Sequence, residues 1–220
     1  MARHRLPGGR VLDLDVLPAA AALLRVSILG RALRRAEIAA AVGRALEAGG
    51  APPRASVGLV LADDATLAGL NAAHMGQAGP TDVLSFPLLP PEAFPPHPGA
   101  ARGTAAGLPS AADPAAGPST EGMPLPSASS TFALPPRARP QVGEIVVSVE
   151  RAVEQARDGR GGWTGRTAWA PADELLLLAT HGTLHLCGWD HAEPEEGAAM
   201  RALEADLLAR AEVEQVPSAR

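Results

Sequence analysis

The sequence predicts an α+β protein: a small mixed sheet packed with helices, in a single domain that a long proline-rich insertion interrupts. Strand-like and helix-like segments follow one another without the strict alternation of a parallel α/β fold, although a mixed α/β architecture is the alternative. The chain has 220 residues, 46% of them hydrophobic, which is enough to bury one core. Its composition changes sharply after Phe86. We therefore divide the chain into a folded domain formed by 1–87 and 141–213, an insertion at 88–140 and a tail at 214–220.

Before the insertion, the apolar spacing predicts two helices and two strands. The segment Arg35–Ala48 repeats an apolar residue every four positions, from Ile38 to Leu46, which predicts a helix. Gly49 follows it as a stop signal. The other elements predicted here are a strand at Ala55–Leu61, a helix from Asp63 or Asp64 to Ala73, and a strand at Asp82–Phe86.

After the insertion, the sequence predicts one strand and three helices. Gly143–Val149 is rich in β-branched residues, as strands are. The segment Glu193–Val213 is amphipathic, with Met200 and Leu207 among its apolar positions. The remaining predicted helices are Glu150–Arg157 and Ala168–Leu186.

The insertion is defined by its composition. Residues 88–140 carry 13 of the chain's 22 prolines, and most of the other residues are alanine, glycine and serine. Such a segment buries too little apolar surface to offset the entropy of ordering its backbone, so we expect it to be disordered. A polyproline recognition segment is the alternative, but proline-rich composition alone specifies no partner.

The charge of the chain limits how it could contact nucleic acid. A net charge of −5 excludes a strongly basic nucleic-acid binder as a description of the whole chain, so any RNA contact has to come from a local patch. All 19 basic residues are arginines. The densest group, Arg31, Arg34 and Arg35, is one candidate phosphate contact, although such a cluster is more often a solvated face.

The cysteine count and the apolar stretches bear on the cellular compartment. Cys187 is the single cysteine, which excludes a disulfide within the chain and fits a reducing environment. The longest apolar stretches are far shorter than the ~20 residues of a membrane span, and no signal-peptide pattern follows the basic N-terminus. We expect a cytoplasmic protein without membrane contact.

Three of the six histidines lie within one short segment, His181 to His191. His181 and His185 are four residues apart and project from one face of a helix, as two ligands of one metal do. Gly188 allows the chain to leave the helix and bring His191 back to the other two. Three imidazoles leave one position of a tetrahedral site open, the pattern of catalytic zinc sites. We expect one Zn²⁺, although nickel, copper and cobalt also accept imidazole, and ordinary surface or core histidines are the alternative.

The spacing also resembles the H-E-x-x-H-x-x-G-x-x-H motif of the metzincin proteases, with one difference. The glutamate that serves those enzymes as general base is here Gly182, which cannot take a proton. This disfavours a protease. Cys187 lies about 200° round the helix from His185, so we expect a core residue there rather than a fourth ligand.

Several segments together resemble one family. HGTLHLCGWDH at 181–191 resembles the HGxLHLxGxDH signature of the YbeY family, the bacterial metal-dependent endoribonucleases of ribosomal RNA maturation. Leu70-Asn71 followed by PTDVLSFP at 80–87 is similar to a second family segment, and GEIVVS at 143–148 to a third, with Glu144 replacing the usual aspartate.

The resemblance implies a fold, a metal and a role. The fold is the metalloprotease-like, YbeY-type domain, with a zinc-like metal held by His181, His185 and His191. The role is single-strand cleavage in 16S rRNA 3′-end maturation and ribosome quality control. The implied partners are ribosomal RNA, the small ribosomal subunit, and ribosomal or GTPase assembly proteins, with neither DNA nor membrane involved.

The chain departs from the family where phosphate is handled. The family usually carries an arginine ahead of PTDVLSFP, and this chain has Met75 there. His74 could replace it as a phosphate contact or proton carrier, or could be an exposed histidine at a helix end. Ser85 lies on a strand that borders the cleft in the family, where it could contact substrate or be a plain sheet residue.

Two residues next to the third histidine have open roles. Asp190 could orient a ligand imidazole from outside the ligand set, or could serve as a cap or turn residue ahead of the last helix. Trp189 could stack on a base, although packing against the metal-binding helix is the more ordinary role for a tryptophan.

Three functions follow from these observations. The first is a metal-dependent endoribonuclease. The second is a ribosome-assembly factor with a mainly structural metal and little cleavage activity, which Met75 favours. The third is a zinc hydrolase of another substrate class, such as peptides, which Gly182 disfavours.

Overall fold

The computed structural model describes residues 1–25, 33–98, 138–159, 162, 164–165 and 168–213. The helices and strands belong to one compact unit formed by residues 1–100 and 139–220. The second unit, residues 101–138, lies outside the described residues except for its last residue, and so does the predicted tail at 214–220.

A mixed sheet forms the centre of the described domain. Its strands are β1 (Ala2–Arg5), β2 (Val11–Val16), β3 (Ser56–Ala62), β4 (Val83–Pro87) and β5 (Gln141–Ser148), in the spatial order β1-β2-β3-β5-β4. The strands β2, β3 and β5 run parallel to one another, and the outer strands β1 and β4 each pair antiparallel with their neighbours. Together with the helices, this sheet confirms the predicted α+β class.

Six helices surround the sheet in the described part of the chain. They are α1 (Pro18–Arg25), α2 (Arg35–Ala48), α3 (Asp64–Met75), α4 (Val149–Arg157), α5 (Pro171–Leu186) and α6 (Pro194–Val213). Short 3₁₀ turns lie at Pro7–Gly9 and Pro91–Ala93. No helix among the described residues is long and apolar enough to cross a membrane.

The predicted elements match these bounds to within a few residues, and Asp63, one of the two residues predicted to begin α3, caps that helix. The Asp63 side chain accepts a hydrogen bond from the Thr66 amide at 3.0 Å and so caps α3. The Ser148 hydroxyl caps α4 in the same way through the Arg151 amide, at 3.1 Å. The analysis of the sequence did not predict β1, β2 or α1.

The helix α5 lies at the centre of the packing. It contacts the strands β4 and β5, and it also contacts the helices α2, α4 and α6. Its start is fixed by Asp173, whose carboxylate accepts a hydrogen bond from the Ala170 amide at 2.9 Å. Leu175 and Leu184 on α5 are fully buried, as are Leu59 and Ile145 on the central strands. Burial of these apolar side chains between sheet and helix supplies most of the driving force for folding.

The first part of the predicted insertion belongs to the folded domain. The Leu88 amide donates a hydrogen bond to the Val142 carbonyl at 2.9 Å, which continues the pairing of β4 with β5. Phe94 is only 7% exposed and joins the main core. His97 stacks on Trp189 with ring centroids 4.2 Å apart. The structure thus differs from the predicted start of the insertion at Leu88, because one buried aromatic side chain anchors a segment whose composition alone indicates disorder. Residues 99–137 of the predicted insertion lie outside the described residues, whereas 138–140 are described and Pro140 accepts a hydrogen bond from the Ser56 amide at 2.8 Å.

We expect Phe94→Ala to lower the free energy of unfolding by about 3 kcal/mol, as removal of a buried phenylalanine side chain typically does. Leu88→Ala is the matched control, because the Leu88 side chain is 60% exposed and the substitution keeps its backbone hydrogen bond. That control should cost less than about 0.5 kcal/mol. Urea unfolding of the two variants measures both values, and equal, small losses would show that residues 88–98 do not pack on the domain.

Candidate metal centre

The last turns of α5 present two imidazoles to the same point. His181 and His185 lie one helical turn apart, and their Nε2 atoms are 3.0 Å from each other. The helix ends at Leu186, and Gly188 adopts a φ of +87°, a left-handed conformation that favours glycine and lets the chain turn back. This turn brings the ring of His191 to 5.5 Å from that of His181 and 5.0 Å from that of His185. The structure therefore brings together all three histidines that the sequence singles out.

The spacing of the three side chains suits a transition metal. One ring nitrogen of each lies within 4.8 Å of the others. Two nitrogens bound to one zinc at 2.0–2.1 Å in tetrahedral geometry are roughly 3.3 Å apart, so small movements of the rings would close the site around an ion. Three nitrogen donors suit zinc, copper, nickel or cobalt rather than calcium or magnesium, which prefer oxygen ligands.

A buried carboxylate fixes the orientation of one imidazole. Glu204 on α6 is 2% exposed, and its Oε1 lies 2.7 Å from Nδ1 of His181. A carboxylate in this position accepts a hydrogen bond from Nδ1–H, which keeps the proton on Nδ1 and leaves Nε2 free to bind a metal. Glu204 thus has the role that the sequence analysis assigned, as one alternative, to Asp190.

His185 is held in the form that binds metal. Burial, and then repulsion from His181 and His191, lowers the pKa of His185 to about 4. The imidazole is therefore neutral at neutral pH. Metal ligation requires this neutral form, so binding a metal at this position has no cost of proton release near pH 7.

The three histidines line an open cleft of about 670 Å³ between β4 and the helices α5 and α6. Its walls also carry Met75 at the end of α3, the carboxylates of Asp82, Glu174 and Glu204, and Arg201 on α6. The Glu174 carboxylate accepts a hydrogen bond from the Trp169 indole N–H at 2.6 Å. The cleft gives an extended ligand access to the imidazoles from one side.

Gly182 lies where α5 packs tightly against β4 and β5. A Cβ atom on this residue would lie 2.7 Å from Cγ2 of Ile145 and 3.1 Å from Oγ of Ser85. A glutamate here, as in the metzincin motif, has no room without moving the helix. The structure thereby gives a packing reason for the glycine.

The two predicted substrate contacts have different positions. Ser85 lines the cleft, but its hydroxyl donates a hydrogen bond to the Gly182 carbonyl at 3.0 Å. His74 is exposed and packs edge-on against Phe86, with ring centroids 5.2 Å apart. It is its neighbour Met75, 49% exposed, that lines the cleft.

The residues around the third histidine stabilise its turn. The carboxylate of Asp190 accepts a hydrogen bond from the His191 amide at 2.7 Å, and the Asp190 amide donates to Oε1 of Glu196 at 2.7 Å. Asp190 thus stabilises the turn ahead of the last helix, the second of the two roles predicted for it. Trp189 is 8% exposed and stacked on His97. It therefore packs in the interior, which was the more ordinary of the two roles predicted for it.

Two further predicted positions lie away from the cleft lining. Cys187 is 1% exposed and packs against Gly49, and burial raises the pKa of its thiol to about 12. This agrees with the expected core residue. In the basic group, Arg34 lies 3.6 Å from Glu37 and neither it nor Arg35 lines the cleft, while Arg31 lies outside the described residues.

Four charged residues of the cleft were not singled out from the sequence: Asp82, Glu174, Glu204 and Arg201. A signal for Glu204 was present. It follows Met200 by four residues on α6 and so falls on the buried face of that helix, where an acidic side chain needs a partner. Arg201 gives no such signal, because an arginine on the exposed side of an amphipathic helix is ordinary.

An α+β domain whose open cleft contains three converging imidazoles has the arrangement of catalytic transition-metal sites. The chain is similar to known proteins both in structure and in sequence. The solution structure of a Thermotoga maritima protein aligns over 95% of this chain and 99% of its own, with 17% identity and a TM-score of 0.42. The sequence profile of the family described as Endoribonuclease YbeY matches residues 31–212.

Individual relatives carry the same description. The Endoribonuclease YbeY of Symbiobacterium thermophilum is 35% identical over 76% of this chain and 79% of its own length. The Endoribonuclease YbeY of Salinispora tropica is 36% identical over 78% of this chain and 84% of its own length. That of Mycolicibacterium gilvum is 37% identical over 74% of this chain and 68% of its own length. The chain therefore belongs to the YbeY family, and the recognition made from its motifs is confirmed.

We expect the protein to bind about one transition-metal ion and His185→Ala to lose most of it, because two imidazoles hold such an ion far less tightly than three. Elemental analysis of the purified proteins measures the metal content. His74→Ala is the control, since it removes an exposed histidine outside the cleft and should leave the metal content unchanged. Full metal retention in His185→Ala would contradict the three-histidine site.

We expect Glu204→Gln to weaken zinc binding about tenfold to a hundredfold, the usual effect of losing a carboxylate that supports a ligand imidazole. Competition with a chromophoric chelator measures the dissociation constant. Glu195→Gln makes the same change at an exposed position of the same helix and should bind zinc as the wild type does. If the two variants bind equally well, Glu204 does not support His181.

Proposed function

We propose that this protein is a zinc-dependent endoribonuclease that cleaves single-stranded ribosomal RNA. Its role is the maturation of the 16S rRNA 3′ end and ribosome quality control in the cytoplasm, with the small ribosomal subunit and its ribosomal or GTPase assembly proteins as partners. One observation carries the proposal: three imidazoles converge in an open cleft of a chain that belongs to a family described as endoribonucleases.

The proposed ligands are His181, His185 and His191. A transition metal at this position supplies Lewis-acid chemistry, polarising a phosphoryl oxygen and activating water for attack on phosphorus. Glu204 holds the proton of His181 on Nδ1 and so keeps Nε2 directed into the site. The turn formed by Gly188 to Asp190 holds the third imidazole beside the first two.

The carboxylates of the cleft already have partners. Glu204 contacts His181, Glu174 accepts from the Trp169 indole, and Asp82 accepts from the Val83 amide at 2.9 Å and from Gln155 at 2.9 Å. These hydrogen bonds fix the orientation of each carboxylate. Gly182, at the position of the metzincin glutamate, has no side chain to act as a base.

A second candidate function is a ribosome-assembly factor whose metal is mainly structural. Met75 favours it, because an apolar side chain lines the cleft close to where the family motif usually carries an arginine. Phosphodiester cleavage needs positive charge near the oxygens that become more negative in the transition state, and an arginine provides such charge while a methionine does not.

We expect the zinc-loaded wild type to cleave a labelled single-stranded RNA oligonucleotide and His181→Ala to cleave it about a thousandfold more slowly. Loss of the metal removes several kcal/mol of transition-state stabilisation, which corresponds to a rate change of this size. A gel-resolved time course measures both rates. Equal rates in the two proteins would refute metal-dependent cleavage, and no cleavage by either would support the assembly-factor function.

We expect Met75→Arg to raise the cleavage rate about tenfold without changing the metal content, because it adds positive charge to the wall of the cleft. Leu88→Arg is the control, since it adds the same charge at an exposed position that does not line the cleft. A gain in both variants would show a non-specific attraction of RNA. No gain in Met75→Arg would show that the charge at this wall does not limit cleavage.

A further inference from the structure

The cleft contains more negative than positive side chains. Asp82, Glu174 and Glu204 are three carboxylates in its walls, and Arg201 is the single arginine among the described residues that line it. A phosphodiester entering the cleft is itself an anion. The position of the phosphodiester therefore depends on the few positive charges available. Apart from a bound metal, Arg201 carries the one permanent positive charge among these lining residues.

Arg201 lies next to the third histidine. On α6 its side chain runs back toward the N-terminus of the helix, as helical side chains do, and passes over Gly197. Its Nη1 lies 3.4 Å from the position that a Cβ on Gly197 would occupy, and Cβ of His191 lies 3.3 Å from the same position. The missing side chain at residue 197 thus lets the guanidinium approach the imidazole site.

The guanidinium of Arg201 has its donors available. Within the described part of the chain, Arg201 makes no hydrogen bond or ion pair, whereas Arg151 pairs with Asp64 at 2.9 Å and Arg210 with Asp206 at 2.6 Å. The acidic residue one turn further along α6, Glu204, is taken by His181. An arginine with five unpaired N–H groups at the edge of a cleft is suited to bind phosphate through two parallel hydrogen bonds.

We propose that Arg201 binds a non-bridging oxygen of the RNA phosphodiester and stabilises its negative charge as the bond is cleaved. This inference rests on the proposed function. It assigns to α6 the positive charge that Met75 does not provide at the end of α3. Arg201 binds substrate and is not a ligand of the metal, so its effect is on RNA and not on zinc.

The test compares Arg201→Gln with Arg210→Gln in zinc-loaded protein, using a labelled single-stranded RNA oligonucleotide. Both variants remove one positive charge from α6, and Arg210 lies on the opposite side of the helix, nine residues further on. We expect Arg201→Gln to lower kcat/KM about a hundredfold and Arg210→Gln to stay within about twofold of the wild type. Arg201→Lys, which keeps the charge without the two-pronged geometry, should recover part of the loss.

The salt dependence of kcat/KM distinguishes phosphate binding from a structural effect. Loss of one phosphate contact should reduce the slope of log kcat/KM against log salt by about 0.7 in Arg201→Gln and leave it unchanged in Arg210→Gln. Zinc content should be equal in all variants. Loss of zinc in Arg201→Gln would overturn the inference, because the residue would then act through the metal site.

The outcome for Arg201 is separable from that for the proposed function. One outcome rejects the inference and keeps the proposed function. In it the wild type cleaves RNA and His181→Ala does not, while Arg201→Gln matches the wild type in rate and in salt slope. If the wild type does not cleave, the proposed function fails, and fluorescence anisotropy of the same oligonucleotide decides for Arg201. Equal affinities of wild type and Arg201→Gln would then overturn it, and weaker binding with a smaller salt slope would support it.

Discussion

The close packing of α5 on the sheet at Gly182 determines the geometry on which the site depends. A Cβ on Gly182 would lie 2.7 Å from a methyl carbon of Ile145, so the helix can approach the sheet this closely only with glycine at that position. The Gly182 carbonyl accepts a hydrogen bond from Ser85 on β4, which fixes the helix along the strand as well as against it. His181 and His185 flank this contact on α5. The rotation of α5 about its axis and its distance from the sheet therefore set the directions of both imidazoles. Any larger residue at 182 would move both ligands.

The remaining parts of the site depend on elements that dock on α5. The helix α6 brings Glu204 to His181, and a carboxylate buried to this extent is stable only with such a partner. The turn at Gly188 brings His191 back to the other two histidines. The Gly188 carbonyl oxygen lies 3.0 Å from Nε2 of His97, which belongs to the described segment 88–98. The site is therefore assembled from one rigid helix and three neighbouring segments rather than from a single motif.

The sequence predicts the convergence of the three histidines because their geometry is local. Four-residue spacing on a helix and a glycine break are visible without any knowledge of tertiary structure, and the strands and helices on either side follow from periodicity. Glu204 and Arg201 depend on how α6 is rotated against α5, which no local pattern specifies. The strand β2 was missed although Leu12 and Leu14 alternate with aspartates, a pattern typical of a half-buried strand. The segment at 88–98 was assigned to the insertion from composition, whereas the buried Phe94 and the stacking of His97 on Trp189 hold it against the domain.

The central claim is that three imidazoles of this chain form a transition-metal site. X-ray absorption at the zinc edge of zinc-loaded protein tests it most directly, because it reports the donor atoms around the ion. The account predicts a first shell of nitrogen and oxygen donors at about 2.0–2.1 Å, with the outer-shell scattering of three imidazole rings and without sulfur. A sulfur shell at about 2.3 Å, or scattering from fewer than three imidazoles, would contradict it.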